Sequence, residues 1–183
     1  MTPAGGTHDA DLDADTQAAP GRIRTVGHIA SLNVSAGGVP KLPVSSAPLS
    51  ALGLGGDKQA KRRIHGGPTR ALCLYSLERI HELQREGHPI APGTTGENIT
   101  LEGIDWSLLV PGARLSLGDA EIEVTSFTEP CGVIRRSFSD YSPWRIAQSE
   151  HPGWSRVYAR VTTEALLHVG DVARVLPAPP ATE

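Results

Sequence analysis

Cysteine is scarce in this chain: two residues in 183, Cys73 and Cys131. Two thiols cannot build a disulfide framework, and they do not fall in C-x-x-C metal spacing. An iron–sulfur cluster, which usually takes four cysteines, is excluded within the chain. In a reducing compartment both are expected as free thiols. Long apolar runs are missing too. None approaches the roughly 18 residues that a membrane span needs, and the N-terminus lacks the charged-then-apolar pattern of a secretory signal. The expected location is the cytoplasm, with no membrane partner. Basic residues are not gathered into a stripe: the longest run is Lys61-Arg62-Arg63, and the net charge is −3. A nucleic-acid partner needs a basic face, so none is expected. No Gly-rich stretch follows the G-x-G-x-x-G pattern of a dinucleotide site.

What remains is an ordinary globular composition, 39% apolar and 20% charged. The length suits one domain. Residues 1–21 carry almost nothing apolar and are expected to be a disordered tail, as is the Pro-rich end at 178–183. The folded unit is expected over 22–177. Strand signals dominate it. Val26, His28, Ala30, Leu32 and Val34 share one parity, as a half-buried strand requires. Leu115 and Leu117, then Ile122 and Val124, alternate on either side of Gly118-Asp119, which predicts a hairpin. Val157, Ala159 and Val161 alternate in another strand, and Val172–Leu176 makes a short last one. Ser76 is placed to cap a helix carrying Leu77, Ile80 and Leu83 and ended by Gly87. Ser142-Pro143 opens a second helix carrying Trp144 and Ile146. So few helices cannot cover both faces of a parallel sheet. The expected fold is therefore mainly β, a β-barrel with a few short helices.

Cys131 lies in Thr128-Glu129-Pro130-Cys131-Gly132, directly after the Ile122–Val124 strand. Pro130 fixes its own φ and biases Glu129 toward an extended shape, while Gly132 lets the chain turn. A thiol is thus presented on a stiff turn, with Arg135 and Arg136 near enough in sequence to favour its thiolate. Cys73, inside Ala71-Leu72-Cys73-Leu74-Tyr75, has an apolar setting and is expected in the core. A second cluster joins Gly55-Gly56-Asp57-Lys58-Gln59 to His65-Gly66-Gly67-Pro68-Thr69-Arg70. Its glycines bring backbone N–H groups close to a ligand, with a cation nearby, which suits an anion. Third, Pro92-Gly93-Thr94-Thr95-Gly96-Glu97-Asn98 delivers a carboxylate and an amide on an exposed-looking loop, the amide suited to a heterocycle edge. Gly37-Gly38-Val39-Pro40-Lys41 places one lysine on a rigid loop. Each of these has an ordinary turn or solvated-surface explanation, and none alone names a function.

Together and in this order, these blocks resemble the MOSC family, named after the C-terminal domain of molybdenum cofactor sulfurase. The resemblance runs from GGVPK through GDKQ…HGGPTRALCLYSLE, PGTTGENIT and EPCG to GWSRVYARV and Gly170-Asp171. It implies a pyruvate-kinase-barrel-like fold that binds a molybdenum cofactor of the molybdopterin type, or handles sulfur for it, through one essential cysteine. On that resemblance Cys131 would be the catalytic residue and the metal's thiolate ligand. Lys41, His65, Gly66, Gly67, Arg70, Glu97 and Asn98 would bind the cofactor. A pyridoxal phosphate association is implied only at the level of the whole family. Stand-alone bacterial members resemble reductases of N-hydroxylated bases.

Three functions are therefore open. The chain is an oxidoreductase acting on a small N-hydroxylated substrate, with electrons from a separate donor reductase. Alternatively it is a non-catalytic carrier holding a persulfide on Cys131, loaded by a sulfur donor. The third possibility is a degenerate binding module that keeps only the fold.

Overall fold

The computed structural model describes residues 24–58 and 67–177. The tails expected to be disordered, together with His65 and Gly66, lie outside the described residues.

Alternating apolar residues build the strands, and their inward faces build the core. In chain order the strands are β1 (Val26–Val34), β2 (Leu42–Val44), β3 (Ser46–Ser50), β4 (Gly53–Leu54), β5 (Leu72–Ser76) and β6 (Ile99–Glu102). They continue with β7 (Arg114–Leu117), β8 (Ala120–Phe127), β9 (Val157–Thr163), β10 (Ala165–His168) and β11 (Val172–Val175). The main sheet runs β11-β7-β8-β9-β5-β6-β1-β2, and a further pairing of β11 with β1 closes seven of these strands into a barrel. All barrel pairs are antiparallel except β5 and β6, which run parallel. Closure leaves no open edge around the seven strands. Strands β10, β3 and β4 form a separate small sheet.

The core runs through Ile29, Leu32, Leu72, Leu74, Ile99, Leu115, Ile122, Val124, Val157 and Ala159. The expected hairpin is present: Leu117 faces Ala120 across the two-residue turn Gly118-Asp119. Alternation in β9 also holds, with Val157 and Ala159 fully buried. The single parity expected for β1 does not hold. Val26 and His28 face solvent, whereas Ile29 and Leu32 are both buried. A register shift between Ile29 and Ser31 in the pairing with β6 switches the inward face partway along the strand. A bulge of this kind leaves no trace in a simple period-two pattern.

The helix α1 (Leu77–Arg85) forms as its sequence dictates. The Ser76 hydroxyl accepts the Arg79 N–H at 3.2 Å, Ile80 and Leu83 are buried, and Gly87 takes a φ of 90° just beyond the end. The second expected helix is only a single 3-10 turn, Pro143–Ile146. Its Ser142 side chain makes no capping bond to oppose fraying of so short a segment.

A candidate active-site cleft with two thiols

The neighbouring strands β5 and β9 bring Cys73 opposite Tyr158. Above this pair opens a cleft of about 270 Å³. Its wall includes Lys41 from the β1–β2 loop, Asn98 at the start of β6, Cys131 from the turn after β8, and Arg156 at the start of β9. Lys58 and Arg70 stand at its exposed rim, and Val39, Val133 and Ile134 give it an apolar side.

Lys41 is buried and forms an ion pair with Asp57. The same carboxylate accepts the Asn98 amide at 2.9 Å and the Ser35 backbone N–H at 2.9 Å. Asn98 in turn holds the cleft floor. Its backbone N–H donates to the Cys73 carbonyl at 2.7 Å, and its side-chain oxygen accepts the Cys73 N–H at 3.2 Å. The amide expected to read a ligand edge is therefore engaged within the protein, and Asn98 acts as a brace. Lys41 is drawn close to the Pro92–Asn98 loop, where its N–H donates to the Gly93 carbonyl at 2.9 Å. A Cβ at Gly93 would come within 2.4 Å of the Lys41 carbonyl oxygen, so glycine is required there.

The same loop corrects a second expectation. It is not an exposed carboxylate carrier: Glu97 is 0% exposed and is absent from the cleft wall. Its oxygens accept the Gly93 N–H at 2.6 Å and the Thr95 hydroxyl at 2.7 Å. Burial pushes its carboxyl above the ordinary value, and these hydrogen bonds only partly oppose the shift. Glu97 ties the loop together from inside. Gly67 also stays off the described wall. It is exposed, its φ of 99° favours glycine, and a Cβ there would meet nothing within 4 Å.

Arg70 does reach the cleft, with its guanidinium 5.4 Å from the centroid of the Tyr158 ring. Tyr158 is half-buried, and burial raises the pKa of its phenol. Arg135 and Arg136 are exposed and absent from the wall, and the cations that line the cleft come from elsewhere in the chain. Arg156 is the most deeply buried of them. It is 6% exposed and donates one guanidinium N–H to the Thr95 carbonyl. The sequence alone gave it no role, because an arginine next to a β-strand reads as surface.

Cys131 is half-buried in extended backbone and opens the 3-10 turn Gly132–Ser137. Cys73 is buried as expected, yet its surroundings are not purely apolar, since it lines the same cleft. Burial pushes its thiol up to about 11, against the opposing pull of the Arg156 guanidinium. At neutral pH it is a neutral S–H group. Among the described residues no group of three or more His, Cys, Asp and Glu side chains is placed to hold a metal ion by itself. No helix of the described residues is long and apolar enough to cross a membrane.

Comparison with known proteins gives a consistent family assignment. Protein YiiM of Escherichia coli (strain K12) is 30% identical over 136 residues, which cover 68% of this chain and 61% of that protein. The uncharacterized protein YflK of Bacillus subtilis (strain 168) is 27% identical over 135 residues, covering 73% and 60% respectively. The chain thus spans about three fifths of the length of these relatives. The crystal structure of YiiM from Geobacillus stearothermophilus shares the fold, with a TM-score of 0.65 at 24% identity over 82% of this chain and 75% of that one. The MOSC domain model matches residues 61–174, more than half of the sequence, and the chain belongs to the MOSC domain family.

Proposed function

We propose that the cleft binds a molybdenum cofactor of the molybdopterin type. On this reading the protein reduces small N-hydroxylated compounds with electrons from a separate donor protein. The observation that carries this reading is the position of Cys131: a partly exposed thiol on the wall of a cleft that also presents Lys58, Arg70 and Arg156. The donor set suits the group. A soft thiolate is a ligand of choice for a thiophilic metal, and clustered cations suit an anionic cofactor. When bound, the cofactor would supply a metal centre able to exchange electron pairs.

The protein's own residues have separable tasks. Cys131 would release its proton and ligate the metal. Lys58, Arg70 and Arg156 would hold the anionic part of the cofactor. Val39, Val133 and Ile134 would limit water on one side of the cleft. Asp57, Lys41 and Asn98 fix the wall through their buried network rather than touching the ligand with free donors.

The test is metal analysis of protein made in a host that synthesises the cofactor, alongside substrate reduction with a flavin or iron–sulfur donor. Wild type and Cys73→Ala are expected to carry stoichiometric molybdenum and to reduce an N-hydroxylated substrate. Cys131→Ala is expected to do neither while keeping its fold. Equal molybdenum in wild type and Cys131→Ala overturns the ligand assignment. Sulfane sulfur on Cys131 without metal favours the persulfide-carrier function instead.

A further inference from the structure

The wall segment that follows Cys131 is tied at its far end to a histidine. Gly87 ends α1, and His88 just beyond it is fixed by its own N–H, which donates to the Leu83 carbonyl at 3.0 Å. The His88 ring packs edge-on against the buried Phe138, with centroids 5.3 Å apart. That contact lays Nδ1 against the next residue of the segment. The Ser139 backbone N–H donates to Nδ1 at 3.2 Å, and the Ser139 hydroxyl lies 3.1 Å from it. Two residues earlier, the Ser137 hydroxyl donates to the Thr94 carbonyl at 3.1 Å. Val133 and Ile134, earlier still in the segment, line the cleft.

An imidazole nitrogen accepts a backbone N–H only through its lone pair, so Nδ1 is unprotonated and the neutral ring carries its hydrogen on Nε2. A hydroxyl can turn to accept from a protonated Nδ1, but a backbone N–H cannot. A second proton on the ring therefore sets two N–H groups against each other and costs Ser139 its partner. The charged groups around the ring do not restore that bond. Glu86, on the same loop, lies 3.8 Å from Nε2, and Arg145 already binds both of its oxygens at 2.6 and 2.9 Å. His151 faces the same carboxylate, and Asp140, next to Ser139, has its Oδ1 on the Ser142 N–H.

We propose that His88 is a proton-operated clasp on the cleft wall. Neutral, it holds Ser139 and steadies the segment that carries Val133 and Ile134; protonated on Nδ1, it lets Ser139 go. The hold is complete above the range in which an imidazole changes charge, about pH 5 to 8, and is lost below it. The cleft wall is then looser in acid than at neutral pH. The clasp rests on these contacts alone and holds whether or not the cleft accepts molybdenum.

The test is amide hydrogen exchange of the whole chain by NMR, with each rate corrected for its intrinsic dependence on pH. Between about pH 8 and about pH 5 the Ser139 amide should lose protection about fivefold, the worth of one backbone hydrogen bond. The Ile134 amide, which donates to the Cys131 carbonyl, should lose protection with it. The Gly112 amide, which donates to the Val124 carbonyl in the barrel, should not change. His88→Asn places an oxygen near the position of Nδ1 that does not titrate, so Ser139 should stay protected at both pH values. His88→Phe keeps a ring on Phe138 without the acceptor, so Ser139 should be unprotected at both; it decides the question if the asparagine variant does not fold. Equal Ser139 protection at the two pH values in wild type, or the same loss in His88→Asn as in wild type, overturns the clasp. So does an equal loss at Gly112, which would make the change global. Loss at Ser139 without loss at Ile134 overturns the hold on the cleft wall. Molybdenum content plays no part in these readouts, so their failure is distinguishable from failure of the cofactor reading.

Discussion

Cys73 and Cys131 face the same cleft from two kinds of backbone, and the contrast shows how a fold assigns different chemistry to identical side chains. Cys73 belongs to a central barrel strand, with its N–H and carbonyl both held by Asn98 and its neighbours fully buried. Its thiol is desolvated and stays protonated. Cys131 sits where the chain has left β8 and opens a 3-10 turn, so no strand covers it and it is part-exposed. Burial and backbone regularity, rather than the identity of the side chain, separate a thiol that only packs from one available for ligation.

The sharpest way to break this contrast is thiol titration of the native protein near pH 7.5. Cys131 is expected to react promptly with a disulfide reagent and Cys73 only on unfolding. With its thiol pushed from 9.0 to about 11, Cys73 should react on the order of a hundredfold more slowly than a thiol at the ordinary value, from thiolate fraction alone. Two thiols reacting at similar rates in the folded protein would remove the distinction.

A second variant attacks the support of the buried thiol. Asp57→Ala leaves Lys41 as a buried, unpaired cation and frees the Asn98 amide that braces Cys73. The expected loss is about 3–5 kcal/mol, the range for breaking a buried ion pair on one side. Urea unfolding measures it, and native Cys73 should label faster in the same variant. A loss under about 1 kcal/mol would place the pair in the class of surface ion pairs.

The smallest expected effect concerns Glu97, which holds the loop between the two thiols from inside. Its folded-state pKa is raised by burial, so the folded protein binds this proton more tightly than the unfolded chain does. That contribution to stability is complete below the ordinary value of 4.5 and is lost as the pH rises from there to the folded-state value. Glu97→Gln should flatten the decline in stability over this interval. Urea midpoints measured across it that decline equally in both proteins would show that Glu97 does not titrate as its burial requires.

The sequence by itself determined those elements whose signals are local, while the expected second helix reduced to a 3-10 turn and strands β2 to β6 and β10 carried no such signal. Alternating apolar residues and turn-forming pairs specify β7, β8 and β9, and Ser76 with Gly87 specifies α1, because these signals act between residues close along the chain. The Thr128–Gly132 turn was legible for the same reason, and with it the placement of Cys131 at a strand end. The β1 bulge was not, since it depends on the partner strand. Nor was the composition of the cleft. Tertiary structure brought Arg156 under the Thr95 carbonyl, 61 residues away in sequence, and closed Asp57 onto both Lys41 and Asn98. It also turned Glu97 inward and left Arg135 and Arg136 on the surface. Local steric and hydrogen-bonding preferences fix strands and turns. Which charges end up paired, buried or facing a ligand is decided only when distant segments pack and water is excluded between them.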